Sequence, residues 1–392
     1  MTEKFSFFSR DIVCVMLATF FYQFSIQAVN PLMNGYARNL GINSTFAGII
    51  VGVMSITSML LRPFAGNLTD QISKYRLALI GGSLCAVSDL GYLFASNVSW
   101  LLFFRIVNGL GFVLCTICLA TWMAFLVPRQ HLGAAMGYYG LLNALAMAIA
   151  PALAISIYQL LGYKFVIMLA ALSSVAMVVV IQFIHNRAKP SIELKEDHHF
   201  KIIQRDALPV ALIFSLLSIP YFVTQADIVM YVQERHLNIT VSLFFLCYSL
   251  ALIVIRILLK DYFDTISFGI WFSICIIATI GYIILLTIMQ NNFEMIIAAG
   301  LMAVGFGVMV SVSQSTALLL APMKEQGLAN ATYYLGSDIG MSLGPIIGGI
   351  LPTIFPLRFF YPVMLLIVPL TAIIYLCYRR KLNAAGSVKF FV

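Results

Sequence analysis

The stretch SWLLFFRIVNGLGFVLCTICLATWMA, Ser99–Ala124, holds a single charged residue, Arg105, among 26. As a helix rising 1.5 Å per residue it is long enough to cross a hydrocarbon core of roughly 30 Å. Comparable runs recur along almost the whole chain. Breaks set by Gly, Pro, Asn and charge place helices at about 12–34, 45–65, 76–95, 99–124, 134–157, 165–185, 208–231, 239–259, 266–288, 293–320, 328–352 and 359–378. Twelve spans are therefore expected in an all-α membrane protein.

Composition agrees. Of 392 residues, 61% are hydrophobic and 10% charged, where a soluble domain carries about a quarter charged residues. A soluble enzyme is excluded. The net charge of +8 does not point to nucleic acid, because the basic residues sit in short loops between apolar runs, where the positive-inside rule accounts for them. With both termini cytoplasmic, sixteen of the twenty-three Lys and Arg fall on that side, among them Lys4, Arg10, Lys74, Arg76, Lys201, Lys260 and Arg379–Lys381. Arg38, Lys164, Arg235 and Arg358 fall outside, and Arg62, Arg105 and Arg256 lie within spans. Residues 12–34 read as a retained first span, since the apolar run is too long for a cleaved signal. The expected location is the inner membrane.

The seven cysteines lie in or beside apolar runs, so a disulfide framework is not expected, and Cys115 and Cys118 read as small packing residues. Asn186–Asp206 is the longest polar stretch and divides the chain into a first half over 1–185, a linker over 186–207 and a second half over 208–392. Its His198–His199 pair lacks companion ligands, and no metal site is expected. Shifting the chain by 194 residues lays Arg62 on Arg256, Asp70 on Asp264, Pro128 on Pro322, Gly133 on Gly327, Pro151 on Pro345 and Lys164-Phe165 on Arg358-Phe359. These coincidences indicate duplication of a six-span unit. Parallel repeats with a midplane site between them are the plan of many secondary transporters.

The loop after the second span, GNLTDQISKYR (Gly66–Arg76), resembles the major facilitator signature Gly-x-Leu-Ala-Asp-Arg-x-Gly-Arg-Arg: Gly66, Leu68, Asp70 and Lys74 match, while Gln71 and Ser73 depart. The resemblance implies that Asp70 caps the eleventh helix in an outward-open state, with Lys74 and Arg76 among the switch residues. RIVNGLGF (Arg105–Phe112) resembles the family's Arg-x-x-x-Gly pattern through Arg105 and Gly109. GMSLGPIIGG (Gly340–Gly349) matches a pattern that the family's antiporters carry in the fifth helix; here it lies in the eleventh, and the fifth has only AMAIAPALA (Ala146–Ala154). Gly340, Gly344, Pro345 and Gly348 are thus expected to shape a flexible helix contact between the halves.

Three acids fall within spans: Asp89, Asp227 and Asp338. Ionisable groups there are costly and mark function by default. Asp338, about 15 Å from the cytoplasmic end of its helix, is the expected proton carrier, and an Asp before such a glycine run resembles bacterial efflux members of the family. Asp227 lies in the outer third of its helix. Asp89 and Arg105 sit at similar depths, where a structural pair is one expectation and proton coupling another. Tyr22, Gln23, Gln27, Asn30, Asn108, Asn143, Tyr221, Gln225, Tyr248, Gln314, Tyr333 and Tyr334 supply polar and aromatic groups for a substrate cavity.

No GxxxxGK[ST] occurs, and the Gly109/Gly111 and Gly305/Gly307 pairs lack a third glycine in register, so packing is favoured over nucleotide binding. No cofactor is expected. The function expected is proton-driven export of a small amphipathic drug or metabolite by a monomer, its partners being the cargo, protons and the bilayer. A dedicated metallophore or metabolite exporter, a proton symporter for uptake, and a non-transporting sensor or scaffold are the alternatives.

Overall fold

Leu60, Leu160, Ile277 and Phe293 are 66%, 82%, 69% and 71% exposed. Exposed apolar side chains in such number along long helices fit a surrounding medium that is itself apolar. They belong to long helices in a computed structural model that describes residues 9–42, 44–188, 201–259, 262–263 and 265–386. No strand occurs among the described residues. Lys4, Lys189, Lys195, the His198–His199 pair, Lys260, Asp264 and Lys389 fall outside them.

The helices are α1 (Arg10–Asn39), α2 (Ser44–Gln71), α3 (Lys74–Leu93), α4 (Val98–Leu126), α5 (Leu132–Leu161), α6 (Tyr163–Gln182), α7 (Leu208–Glu234), α8 (Val241–Leu259), α9 (Phe268–Ile288), α10 (Asn292–Leu320), α11 (Gln326–Ile354) and α12 (Ile367–Gly386). Eleven agree with the expected spans to within a few residues. The last one does not: two 3-10 turns, Leu357–Phe359 and Pro362–Leu366, precede it, and it runs on past Arg379–Lys381. Pro362 stands at the start of a 3-10 turn, where its missing N–H costs nothing, and the Lys381 ammonium meets Asp206 at 2.5 Å.

The repeat recurs in local structure. At the same offset of 194, α3, α4 and α5 start where α9, α10 and α11 start. Asn97 and Asn291 cap α4 and α10, accepting from Trp100 N at 2.9 Å and Glu294 N at 3.1 Å. These side chains satisfy donors that a helix start leaves open. The 3-10 turns Arg129–His131 and Met323–Glu325 open α5 and α11 alike. Inside α10 the copies diverge, because Ala303–Val308 is a π-helical segment and α4 has none.

Two compact units can be distinguished. The first comprises Met1–Pro128, Leu142–Ile203 and Met323–Ala331; here α4 packs on α2 and α3, and α1 and α3 pack on α6. Gly109 and Gly111 do this packing, since a Cβ on either would stand 2.7 Å from Met54 O or Cys85 Sγ. The second comprises Arg129–Leu141, Gln204–Pro322 and Thr332–Val392, in which α10 packs on α8 and α9, and α12 on α7 and α9.

Candidate functional site

The polar groups of the first unit gather around α4. Arg105, 1% exposed, donates from Nε to Ile50 O at 3.0 Å, from Nη2 to Val51 O at 2.9 Å, and from Nη1 and Nη2 to Asn30 Oδ1 at 3.2 Å. Asp89 is equally buried but accepts instead from Ser174 Oγ at 2.6 Å and, at 3.5 Å, from Asn108 Nδ2, which also donates to Ser88 Oγ at 2.7 Å. The expected Asp89–Arg105 pair is therefore not made. Helical depth brought the two to one level, while Asn30 and the α2 carbonyls satisfied the guanidinium first. Asn108 faces this core, and Tyr22 bonds Thr116 through its hydroxyl at 2.7 Å. Gln23, Gln27 and Asn143 are half-buried.

In the second unit the aromatic residues converge. Tyr221 stacks on Phe306 at 3.7 Å and 10°, Phe214 stacks on both Phe306 and Tyr333, and Tyr248 lies 5.6 Å from Tyr221. Gln225 donates to the Tyr221 hydroxyl at 3.0 Å, and Gln314 to that of Tyr334 at 3.1 Å. The π-helical segment presents Phe306 to Tyr221; sequence inspection missed it, although the Gly305/Gly307 pair marks the spot. Asp338 on α11 is 4% exposed and so faces protein, not lipid.

The glycines of α11 form a longer stripe than expected. Gly336, Gly340, Gly344 and Gly348 recur every fourth residue on one face, where i and i+4 stand one above the other. Added Cβ atoms would strike Ala211, Ser218, Phe222 and Asp227 of α7 in turn. The Phe222 contact would be 2.6 Å, and the Asp227 Oδ2 contact is the closest of the four. The stripe thus seats α11 on α7 within the second unit, which corrects the expected contact between halves; a glycine pattern shows close approach without naming the partner. Pro345 lies in the same helix. Asp227 Oδ2 is buried there without a hydrogen bond among the described residues.

The expected Asp70 cap is present in the first unit. Its Oδ1 accepts from Gly327 N at 2.6 Å and its Oδ2 from Leu328 N at 2.9 Å, two donors exposed at the start of α11. Gly66 makes this approach possible, since a Cβ there would lie 2.7 Å from Ala331 Cβ. At 1.5 Å per residue the 28 residues of α2 extend about 42 Å, so its last turn, with Asp70, projects beyond a core of roughly 30 Å. Burial pushes the Asp70 carboxyl up to about 7, against the opposing pull of the two N–H groups and Lys74. Lys74 is buried beneath Phe125, its Nζ 5.7 Å from the ring centroid, and Arg76 is exposed. Neither makes an ion pair among the described residues. Lys201 from the linker reaches this region instead. Asn67 Nδ2 donates to Lys201 O at 2.6 Å, Lys201 N donates to Asn67 Oδ1 at 3.2 Å, and the ammonium meets Glu325 at 2.5 Å. Glu325 lies in no motif, and Asn67 falls on an unspecified position of the Gly66–Arg76 signature.

A family model of the Major Facilitator Superfamily (MFS) matches residues 15–289 and 270–389. An MFS-type transporter of Methanocaldococcus jannaschii is 23% identical over 359 residues, 88% of this chain and 92% of that protein. The quinolone resistance protein NorA of Staphylococcus aureus is 21% identical over 354 residues, 88% and 90% of the two chains. Among solved structures, a bacterial homologue of the iron transporter ferroportin in its outward-facing state superposes with a TM-score of 0.77 at 14% identity, covering 94% of this chain and 99% of that one.

Proposed function

Since this chain belongs to the Major Facilitator Superfamily, a multi-pass membrane transporter and not an enzyme, we propose that it exports a small amphipathic molecule in exchange for protons by alternating access. The observation that carries this reading is Asp338, an acid in the middle of α11 that is 4% exposed and lies between Gly336 and Gly340 of the stripe seated on α7. The neutral and charged forms of a carboxyl interact differently with their surroundings, and that difference can bias two access states. A proton entering down the membrane potential supplies roughly 2.3 kcal/mol per 100 mV. The aromatic group around Tyr221 and Phe306 offers an apolar body with a few polar handles, as sites for small amphipathic molecules do.

The quinolone-resistance relative, matched over most of its length, supports export over uptake. In this reading the halves are 1–185 and 208–392, joined by the linker, in an inner membrane with both termini cytoplasmic, and the working unit is a monomer. Asp227 and Asp89 are the secondary acids, and the Asp70 cap is a contact made in one access state and broken in the other. Everted vesicles test the proposal. Addition of cargo should release protons from the lumen of energised vesicles, and Asp338→Asn should abolish that movement while the purified protein keeps its melting temperature. Undiminished gradient-driven transport by the variant would refute the role of Asp338, and proton flux of the opposite sign would indicate symport.

A further inference from the structure

We infer that Arg256 forms an anion site in the second unit that takes the carboxylate of an aromatic cargo. Arg256 is 5% exposed, yet its Nε and Nη1 have no hydrogen-bond partner among the described residues. Its Nη2 makes one long bond, 3.4 Å, to Gly307 O. A guanidinium carries five N–H donors and cannot be deprotonated in a protein. It therefore stays charged in a setting where an uncompensated charge is costly, and its open donors fit the two oxygens of a carboxylate.

Three surroundings favour an aromatic acid over a bare inorganic anion. Gly307, the one partner, belongs to the π-helical segment, an irregularity that recurs at functional sites. The same segment carries Phe306, stacked on Tyr221, so a group of aromatic rings begins one residue from the carbonyl that Arg256 touches. Tyr248, on the same helix as Arg256, extends this aromatic group with its ring centroid 5.6 Å from that of Tyr221. From another side Gly140 of α5 closes on the guanidinium, where a Cβ would stand 2.7 Å from Cζ. α5 holds no Asp or Glu that could neutralise the charge. With Asp338 and Asp227 in the same unit, the cargo is expected to bear an acid group, alone or beside an amine.

Cargo status rests on the transport reading, whereas binding does not, and the experiment separates them. Purified full-length protein in detergent is melted with increasing 1-naphthoate or 1-naphthamide, which match in ring and differ in charge. A ligand stabilises the form that binds it by mass action. Wild type should prefer naphthoate. Arg256→Gln should weaken naphthoate about ten- to a hundred-fold, the equivalent of a hydrogen bond to a charged group, while leaving naphthamide unchanged, and Arg256→Lys should restore part of the preference. Equal response of wild type to both compounds would overturn the site, as would a preference that persists in Arg256→Gln. If Arg256→Gln does not fold, a preference in Arg256→Lys reduced below that of wild type supports the two-oxygen geometry and full retention refutes it. Failure of vesicle transport with binding intact would overturn the export reading alone.

Discussion

Arg105 and Arg256 are two guanidinium groups buried in the helices of an MFS transporter, and their surroundings are opposite. All three nitrogens of Arg105 are engaged, by Asn30 and two α2 carbonyls at 2.9–3.2 Å. Arg256 has one hydrogen bond, at 3.4 Å, and two nitrogens with none among the described residues. Burial is the same, 1% and 5% exposed; partners differ. A satisfied cation fastens helices, whereas an unsatisfied one holds its binding capacity in reserve.

Replacing each arginine by Met tests that contrast most severely. Arg105→Met removes several bonds to a charged group, each worth about 1.5–3 kcal/mol, and should lower the melting temperature or abolish folding. Arg256→Met should be neutral or stabilising, because it removes an unpaired buried charge. Equal losses in the two melts would erase the distinction.

A finer probe acts on the neighbours. Asn30→Ala withdraws the oxygen shared by Nη1 and Nη2 of Arg105 and should cost about 1.5–3 kcal/mol. Gly140→Ala forces a methyl onto Arg256 and should cost about 1–3 kcal/mol through overpacking, a loss that Arg256→Ala relieves. The chemical melts of the two singles and the double decide the second claim; an additive double mutant would show that Gly140 and Arg256 do not press on each other.

The smallest effect extends the comparison to a carboxyl. Asp70 has two N–H partners, as well provided as Arg105, yet burial raises it to about 7. An acid raised on folding gives its full stabilising contribution below the ordinary carboxylate range and loses it as pH climbs through about 7. The melting temperature of wild type should therefore fall relative to Asp70→Asn between pH 6 and pH 8. A constant difference across that range would mean that the cap does not titrate there.

Helix positions were legible in the sequence because lipid demands long apolar runs, and the Asp70 cap because its motif has a fixed relation to a helix start. The partners of Arg105 were not. Hydropathy reports depth, and depth placed Asp89 beside it; which oxygen lies within 3.2 Å depends on helix rotation, to which spacing alone is blind. Gly340, Gly344 and Gly348 announced close packing but left open the helix they meet, and Gly336 was missed because the family pattern begins four residues later. The π-helical segment and the bare surroundings of Arg256 arise from tertiary packing around Gly305 and Gly307 and leave no periodic trace.

The four-residue comb along α11 has a consequence for how this pair of helices can change. Its spacing from α7 is set by atoms that are missing: hydrogen stands where a methyl would meet Ala211, Ser218, Phe222 or Asp227. A carbon gained on one helix must be matched by volume lost on the other, so α7 and α11 can be altered only as a couple, with Asp227 carried along.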